Sequence, residues 1–153
     1  MRRRSHAMRT ILCLLAVVGP SVGARSLAWA TVADKPLPVK TWRKTANDIC
    51  RQSGTLRGRI ADDVFGALPA DGQPSLELMT AYVGQIEPVV QQQIDSIDAL
   101  REPKAFKKKV AKLLDTAQQE LDALVADPSI GLEANPFSAT ELAAKKLKLK
   151  QCS

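Results

Sequence analysis

The chain predicts an all-α fold: an antiparallel bundle of three long helices plus a short C-terminal helix, tied by one disulfide. Three observations carry this reading. Apolar residues recur at steps of three, four and seven, the period of one helix face. No stretch alternates apolar and polar residues as a half-buried strand does, and no internal repeat is present. Prolines and glycines gather between the periodic stretches, where helices must end. A length of 153 residues holds one ordinary domain, and 45% hydrophobic with 25% charged residues argues against disorder. Only 4% of residues are aromatic, so the core must rest on Leu, Ile, Val and Ala.

Residues 1–30 read as a signal peptide and stand outside the fold. Arg2, Arg3, Arg4 and Arg9 form a cationic start, Ile11 to Val18 is unbroken apolar sequence, and Gly19-Pro20 stops the helix. Both Val22-Gly23-Ala24 and Ala28-Trp29-Ala30 fit the small-residue rule, so cleavage is expected after Ala30 or after Ala24; Met8 is an alternative start. From Ile11 to Ala24 there are 14 residues, fewer than the about 20 that span a bilayer. Cys13 lies inside the apolar run rather than at a cleavage point, so no lipidation cysteine is in place. The chain is expected to be exported, secreted or held in the envelope space, with no membrane span in its mature part.

Removing the leader changes the charge. Five of the 22 basic residues and none of the 16 acidic ones lie in positions 1–30, so the remainder carries only +1 instead of +6. The whole-chain pI near 9.4 therefore does not point to nucleic acid.

Residues 31–39, with Pro36 and Pro38, read as an extended arm before a single helical domain over 40–153. The first helix follows the stripe Trp42, Ala46, Ile49, Leu56, Ile60, Val64, with Thr41 as N-cap. Gly54 and Gly58 share a face of it, either as a soft spot or as a place for another helix to come close. A loop over 66–74, rich in Pro and Gly, precedes Ser75, the cap of the second helix. That helix carries Met79, Tyr82, Val83, Ile86, Val90, Ile94 and Ile97, with Pro88 inside. The proline ring meets the carbonyl of Gly84, which predicts one helix kinked over 84–88 rather than two helices.

Glu102-Pro103 ends the second helix, and Pro103 opens the third as its first residue. The third stripe is Phe106, Val110, Leu113, Ala117, Leu121, Leu124, closed by Asp127-Pro128. After a loop containing Gly131 and Pro136, Ser138 and Glu141 form a capping box for a short helix through Leu142 and Leu147.

Two cysteines remain in the mature chain, Cys50 in the first helix and Cys152 at the end. In an oxidising compartment such a pair is expected to bond. Short loops make neighbouring helices antiparallel. At about 1.5 Å per residue, Cys50 then stands about 25 Å along the bundle, a height the last helix and its tail reach. No second cysteine is near enough for a C-x-x-C redox motif, so the role is structural.

Charge is segregated in the third helix. Lys104, Lys107, Lys108, Lys109 and Lys112 crowd its N-terminal half against the helix dipole, and acidic residues follow. From Leu113 to Ala144 there is no basic residue; Lys145, Lys146, Lys148 and Lys150 then close the chain. This is either a solvated face whose stems cover core, or a surface for an anionic partner such as lipid headgroups or cell-wall polymer.

Other chemistries have little to work with. His6, the only histidine, goes with the leader, so the commonest general base and metal ligand are both absent. Phosphate-loop, nucleophile-elbow and calcium-loop patterns are missing, Asp62 and Asp63 diverge on the first helix, and Asp95 and Asp98 share the wet face of the second. No metal site and no cofactor is expected. Catalysis would rest on an arginine–lysine pocket drawn from Arg51, Arg57, Arg59, Arg101 and Lys104.

Ala46-Asn47-Asp48-Ile49-Cys50-Arg51, with Leu147-Lys148-Leu149-Lys150-Gln151-Cys152 at the end, resembles a pattern in small exported actinobacterial helical proteins and lipoproteins of unknown function. The resemblance spans most of the mature chain and implies a disulfide from the first helix to the C-terminus. It supplies no activity, and the absent lipidation cysteine leaves lipid anchoring out. The expected role is a non-catalytic exported module that binds an envelope component through its lysines. The alternatives are a carrier with an apolar pocket near Pro88 and, less favoured, an exported helical enzyme.

Overall fold

The computed structural model describes residues 35–69 and 72–152. The expected signal peptide and residues 31–34 of the arm lie outside the described residues. The fold is all-helical: α1 (Val39–Phe65), α2 (Leu76–Asp98), a single 3-10 turn (Lys104–Phe106), α3 (Lys107–Ala126), α4 (Ile130–Glu133) and α5 (Ser138–Leu147). Packing joins α1 to α2, α2 to α3 and α3 to α5.

Helix α1 starts two residues before the expected cap. Pro38, in extended geometry, takes the N-cap position, and its carbonyl accepts from the Trp42 amide. Thr41 is therefore inside the helix. The entry is held from outside: the Leu37 amide donates to the Arg101 carbonyl at 2.9 Å. Ser75 caps α2 as expected, its hydroxyl accepting from the Leu78 amide. α2 ends at Asp98, four residues short of Glu102. The chain then turns through Ala99 and Leu100 toward Pro103, which is buried and caps the 3-10 turn rather than opening α3.

The stripes on α2 and α3 are buried as their spacing predicts, with Tyr82 and Phe106 partly so. α2 runs unbroken through Pro88. Helix α1 departs from its reading. Its buried line is Trp42, Ala46, Cys50 and Ser53, whereas Leu56 is 44% exposed. A Cβ built on Gly54 or Gly58 meets nothing within 4 Å, so among the described residues no second helix approaches there, which leaves the soft-spot reading. Of the two apolar residues expected along α5, Leu147 is buried, with Ala144 beside it, whereas Leu142 is 59% exposed.

The core divides into parts. One surrounds the disulfide: Trp42, Ala46 and Cys50 with Ile97, Val110, Leu113, Ala144, Leu147 and Leu149. Trp42, fully buried, meets Phe106 edge-on at 5.9 Å. Arg43 lies over the Phe106 ring, its guanidinium carbon 4.9 Å from the centroid. A second part gathers Met79, Val83, Ile86 and Leu124 at the other end of α2, and Val90, Ile94, Ala117 and Leu121 fill the space along the α2–α3 contact.

The tail reaches α1 by a defined turn. Lys148 adopts a left-handed conformation (φ 61°), the Leu149 amide bonds back to Ala144, and the Lys148 amide bonds to Lys145. That turn drives Leu149 into the core and brings Cys152 to Cys50, with Cα atoms 5.1 Å apart and sulfurs bonded. Asn47 and Arg43 complete the clasp: Gln151 donates its amide to Asn47 Oδ1 at 2.9 Å, and Arg43 Nε donates to the Leu147 carbonyl at 2.9 Å.

Candidate functional site

Two concave regions have chemistry. The first is a groove between α3 and α5, about 500 Å³ in volume. Lys109 and Lys112, three apart on α3, share a face; Lys146 stands opposite on α5. Ala139, Leu142 and Ala143 make an apolar floor, and Thr116 turns its hydroxyl back to the Lys112 carbonyl. Among the described residues, the ammonium groups of Lys109, Lys112 and Lys146 have no hydrogen-bond or ion-pair partner. The groove thus offers three ammonium groups around hydrocarbon.

The nine expected lysines are all exposed, yet they do not share one site. Lys148 and Lys150 border a separate shallow depression of about 300 Å³ with Arg51, Asn47 and Asp48. Its cationic character is partly offset, because Asp48 pairs with Arg51 at 2.8 Å and Lys44 at 3.4 Å. Lys104, Lys107, Lys108 and Lys145 line neither concavity. Gly84 and Pro88 are exposed on α2 and line neither one.

The second region is a cleft bounded by α1, α2, α3 and α5 beside the disulfide, about 180 Å³ in volume. Its wall includes Arg57, Gln93, Phe137, Thr140, Glu141 and Cys152. A neighbouring lobe of about 190 Å³ shares Arg57 and Phe137 and is otherwise bounded largely by Met79, Tyr82, Ile86 and Leu124. Arg57 Nε, Gln93 Oε1 and Thr140 Oγ1 are each buried without a hydrogen-bond partner. An unpaired buried polar atom costs about 1–3 kcal/mol. Three on one wall is a concentration that calls for a physical reason.

The backbone explains how they converge. Arg57 continues the buried line of α1 one turn after Ser53, where the helix period demands an inward side chain. Gln93 is held against the disulfide, its Nε2 3.5 Å from Cys50 Sγ. Thr140 is fixed from α3: Glu120 accepts the Ala139 amide at 2.9 Å and the Thr140 amide at 3.0 Å. The expected Ser138–Glu141 capping box is thereby replaced. Ser138 begins the helix without capping it, and Glu141 accepts from Asn135 Nδ2 at 2.7 Å. Tyr82 faces this region too; burial pushes its phenol pKa up, and the Arg57 charge pulls partly against that.

Comparison with protein-family models, curated proteins and solved structures finds no significant match. The reading of the site therefore rests on its geometry.

Of the five expected cations, Arg51 and Arg57 border different concavities, and Arg59, Arg101 and Lys104 border none of these. Among the described residues no three His, Cys, Asp or Glu side chains gather as metal ligands, and no helix is long and apolar enough to cross a membrane. Sequence reasoning missed Arg57 as a wall residue of an inner cleft, and it missed Gln93 and Thr140 altogether. The available signal was the α1 period itself. Continued from Trp42, Ala46 and Cys50, it reaches Ser53 and Arg57, polar residues at inward positions.

Proposed function

We propose that the protein is an exported, non-catalytic helical module that binds anionic lipid headgroups of the cell envelope through the groove between α3 and α5. The observation that supports this best is the ring of Lys109, Lys112 and Lys146 around an apolar floor containing the 59%-exposed Leu142. A lipid surface supplies both things the groove offers to meet, phosphate charge and hydrocarbon. A wall polymer supplies only charge. Export fits the Cys50–Cys152 bond, which persists in oxidising surroundings.

An antiparallel bundle of three long helices and a short one is the arrangement that best fits the contacts. Phe65 meets Tyr82, Cys50 meets Gln93, and Leu37 meets Arg101, so position rises on α1 as it falls on α2. Ile97 with Val110, Ile94 with Ala117, and Ile86 with Leu124 follow the same opposite sense in the cores.

The test is co-sedimentation with phosphatidylglycerol vesicles against phosphatidylcholine vesicles. Binding to the anionic vesicles only, lost at high salt, is expected. Near an anionic surface each lysine contributes about 1 kcal/mol, so replacing Lys109, Lys112 and Lys146 together by Gln weakens binding roughly a hundredfold. No binding at low ionic strength, or binding to anionic wall polymer alone, overturns the reading.

A second reading, a small-molecule carrier, is favoured by the cleft at Arg57 with its unpaired polar wall. In this reading the kink expected at Gly84 and Pro88 shapes α2 just before Val90, which lines the cleft.

A further inference from the structure

The carrier reading leaves open what the cleft would hold, and the chemistry of its wall narrows that. Arg57 brings a fixed positive charge and an unpaired donor, Nε. Gln93 Oε1 is an unpaired acceptor, and Thr140 Oγ1 can serve as either. Glu141 adds a carboxylate on the same wall, with one oxygen occupied by Asn135. A purely anionic guest would face Glu141, and a purely cationic one would face Arg57. A guest bearing both signs on neighbouring atoms satisfies the two walls together. The adjoining lobe carries polar groups, Tyr82 and Asn135 besides Arg57, but Met79, Ile86, Leu124 and Phe137 give it an apolar side that suits an apolar side chain.

From this convergence we infer that the Arg57–Gln93–Thr140 cleft binds a small zwitterion of the α-amino-acid type carrying an apolar side chain. Its carboxylate meets Arg57 and Thr140, its ammonium meets Gln93 Oε1 and Glu141, and its side chain enters the lobe beside Met79. The polar cleft alone has room for several waters, enough for such a head group. The inference rests on the carrier reading and is independent of the lysine groove.

The experiment is an NMR titration of the disulfide-bonded protein, following the Arg57 Nε–H signal. Three probes are added in turn: L-leucine, 4-methylpentanoate (the same skeleton without the ammonium) and 3-methylbutylamine (the same skeleton without the carboxylate). L-leucine is expected to shift the signal saturably, with each half-probe at least roughly tenfold weaker, as loss of a charge-assisted hydrogen bond implies. Arg57→Met and Thr140→Val, both checked for unchanged helicity, each weaken leucine binding tenfold or more when followed on backbone amides around Gln93. Arg59→Met on the exposed side of α1 leaves it unchanged. If none of the probes binds, or only ordered water fills the cleft at millimolar leucine, the carrier reading falls with the inference. If the half-probes bind as well as leucine, or Arg57→Met has no effect, the zwitterion assignment alone is overturned.

Discussion

Tyr82 packs against Phe65, ring centroids 5.0 Å apart, with its phenol in the environment that Arg57 also faces. Burial raises its pKa above the ordinary value of 10.0, and Arg57 opposes the rise without cancelling it. A phenol with a raised folded-state pKa stays protonated in the fold after the unfolded chain has released its proton. Its contribution to stability is therefore complete below pH 10.0 and is lost as pH climbs through the folded value. Tyr82→Phe should remove that part of the alkaline decline. Urea unfolding of both proteins below and above pH 10.0 tests this, and the difference between them isolates Tyr82 from the titrating lysines. At this scale the sequence was legible where one property decides a residue's place. Ser75 caps because its hydroxyl reaches an amide, and Ile86 is buried because it is apolar at the right spacing. Arg57 was not, because helix period and side-chain polarity point opposite ways there and period prevails.

The start of α5 shows how an element depends on another. Its first amides are satisfied by Glu120 of α3, a carboxylate about twenty residues upstream, and Asn135 both accepts from the Phe137 amide and donates to Glu141. Ser138 and Glu141 have capping-box spacing, but spacing cannot reveal a competing carboxylate delivered by tertiary packing. The same contact gives Glu120, among the acidic residues in the second half of α3, a specific task. Glu120→Ala should destabilise the fold by about 1–2 kcal/mol, the usual range for a lost helix cap. Hydrogen exchange should quicken first over residues 138–147, with α1 and α2 little affected. Uniform loosening of the whole chain would contradict this account. Boundaries elsewhere were misread for a related reason: α2 stops at Asp98 because the chain must turn to deliver the Arg101 carbonyl to Leu37, a long-range need that no local pattern records.

For the molecule as a whole, the all-helical class and the Cys50–Cys152 bond followed from period and from cysteine count, both of which are global properties of the chain. The cleft did not follow, since it needs four helices in register. The bond spans 102 positions, and closing a loop of that size contributes about 4–5 kcal/mol in the chain-entropy account. That is a large part of the whole for a domain of this size. Replacing both cysteines by Ala should lower the unfolding free energy by about that amount, measured by denaturant titration, while reducing agent should have no effect on the variant. Loss under 1 kcal/mol would mean that the Arg43–Leu147 and Asn47–Gln151 clasp carries the closure alone.

The sulfur bridge also makes most of the polypeptide a covalent ring. One peptide-bond cleavage at any point between Cys50 and Cys152, including the exposed stretch near Gly72, opens that ring without dividing the molecule in two. The severed halves stay tethered, free to re-form the same contacts as an intramolecular event. Wherever proteases meet it, the molecule would in this way outlast its first cut.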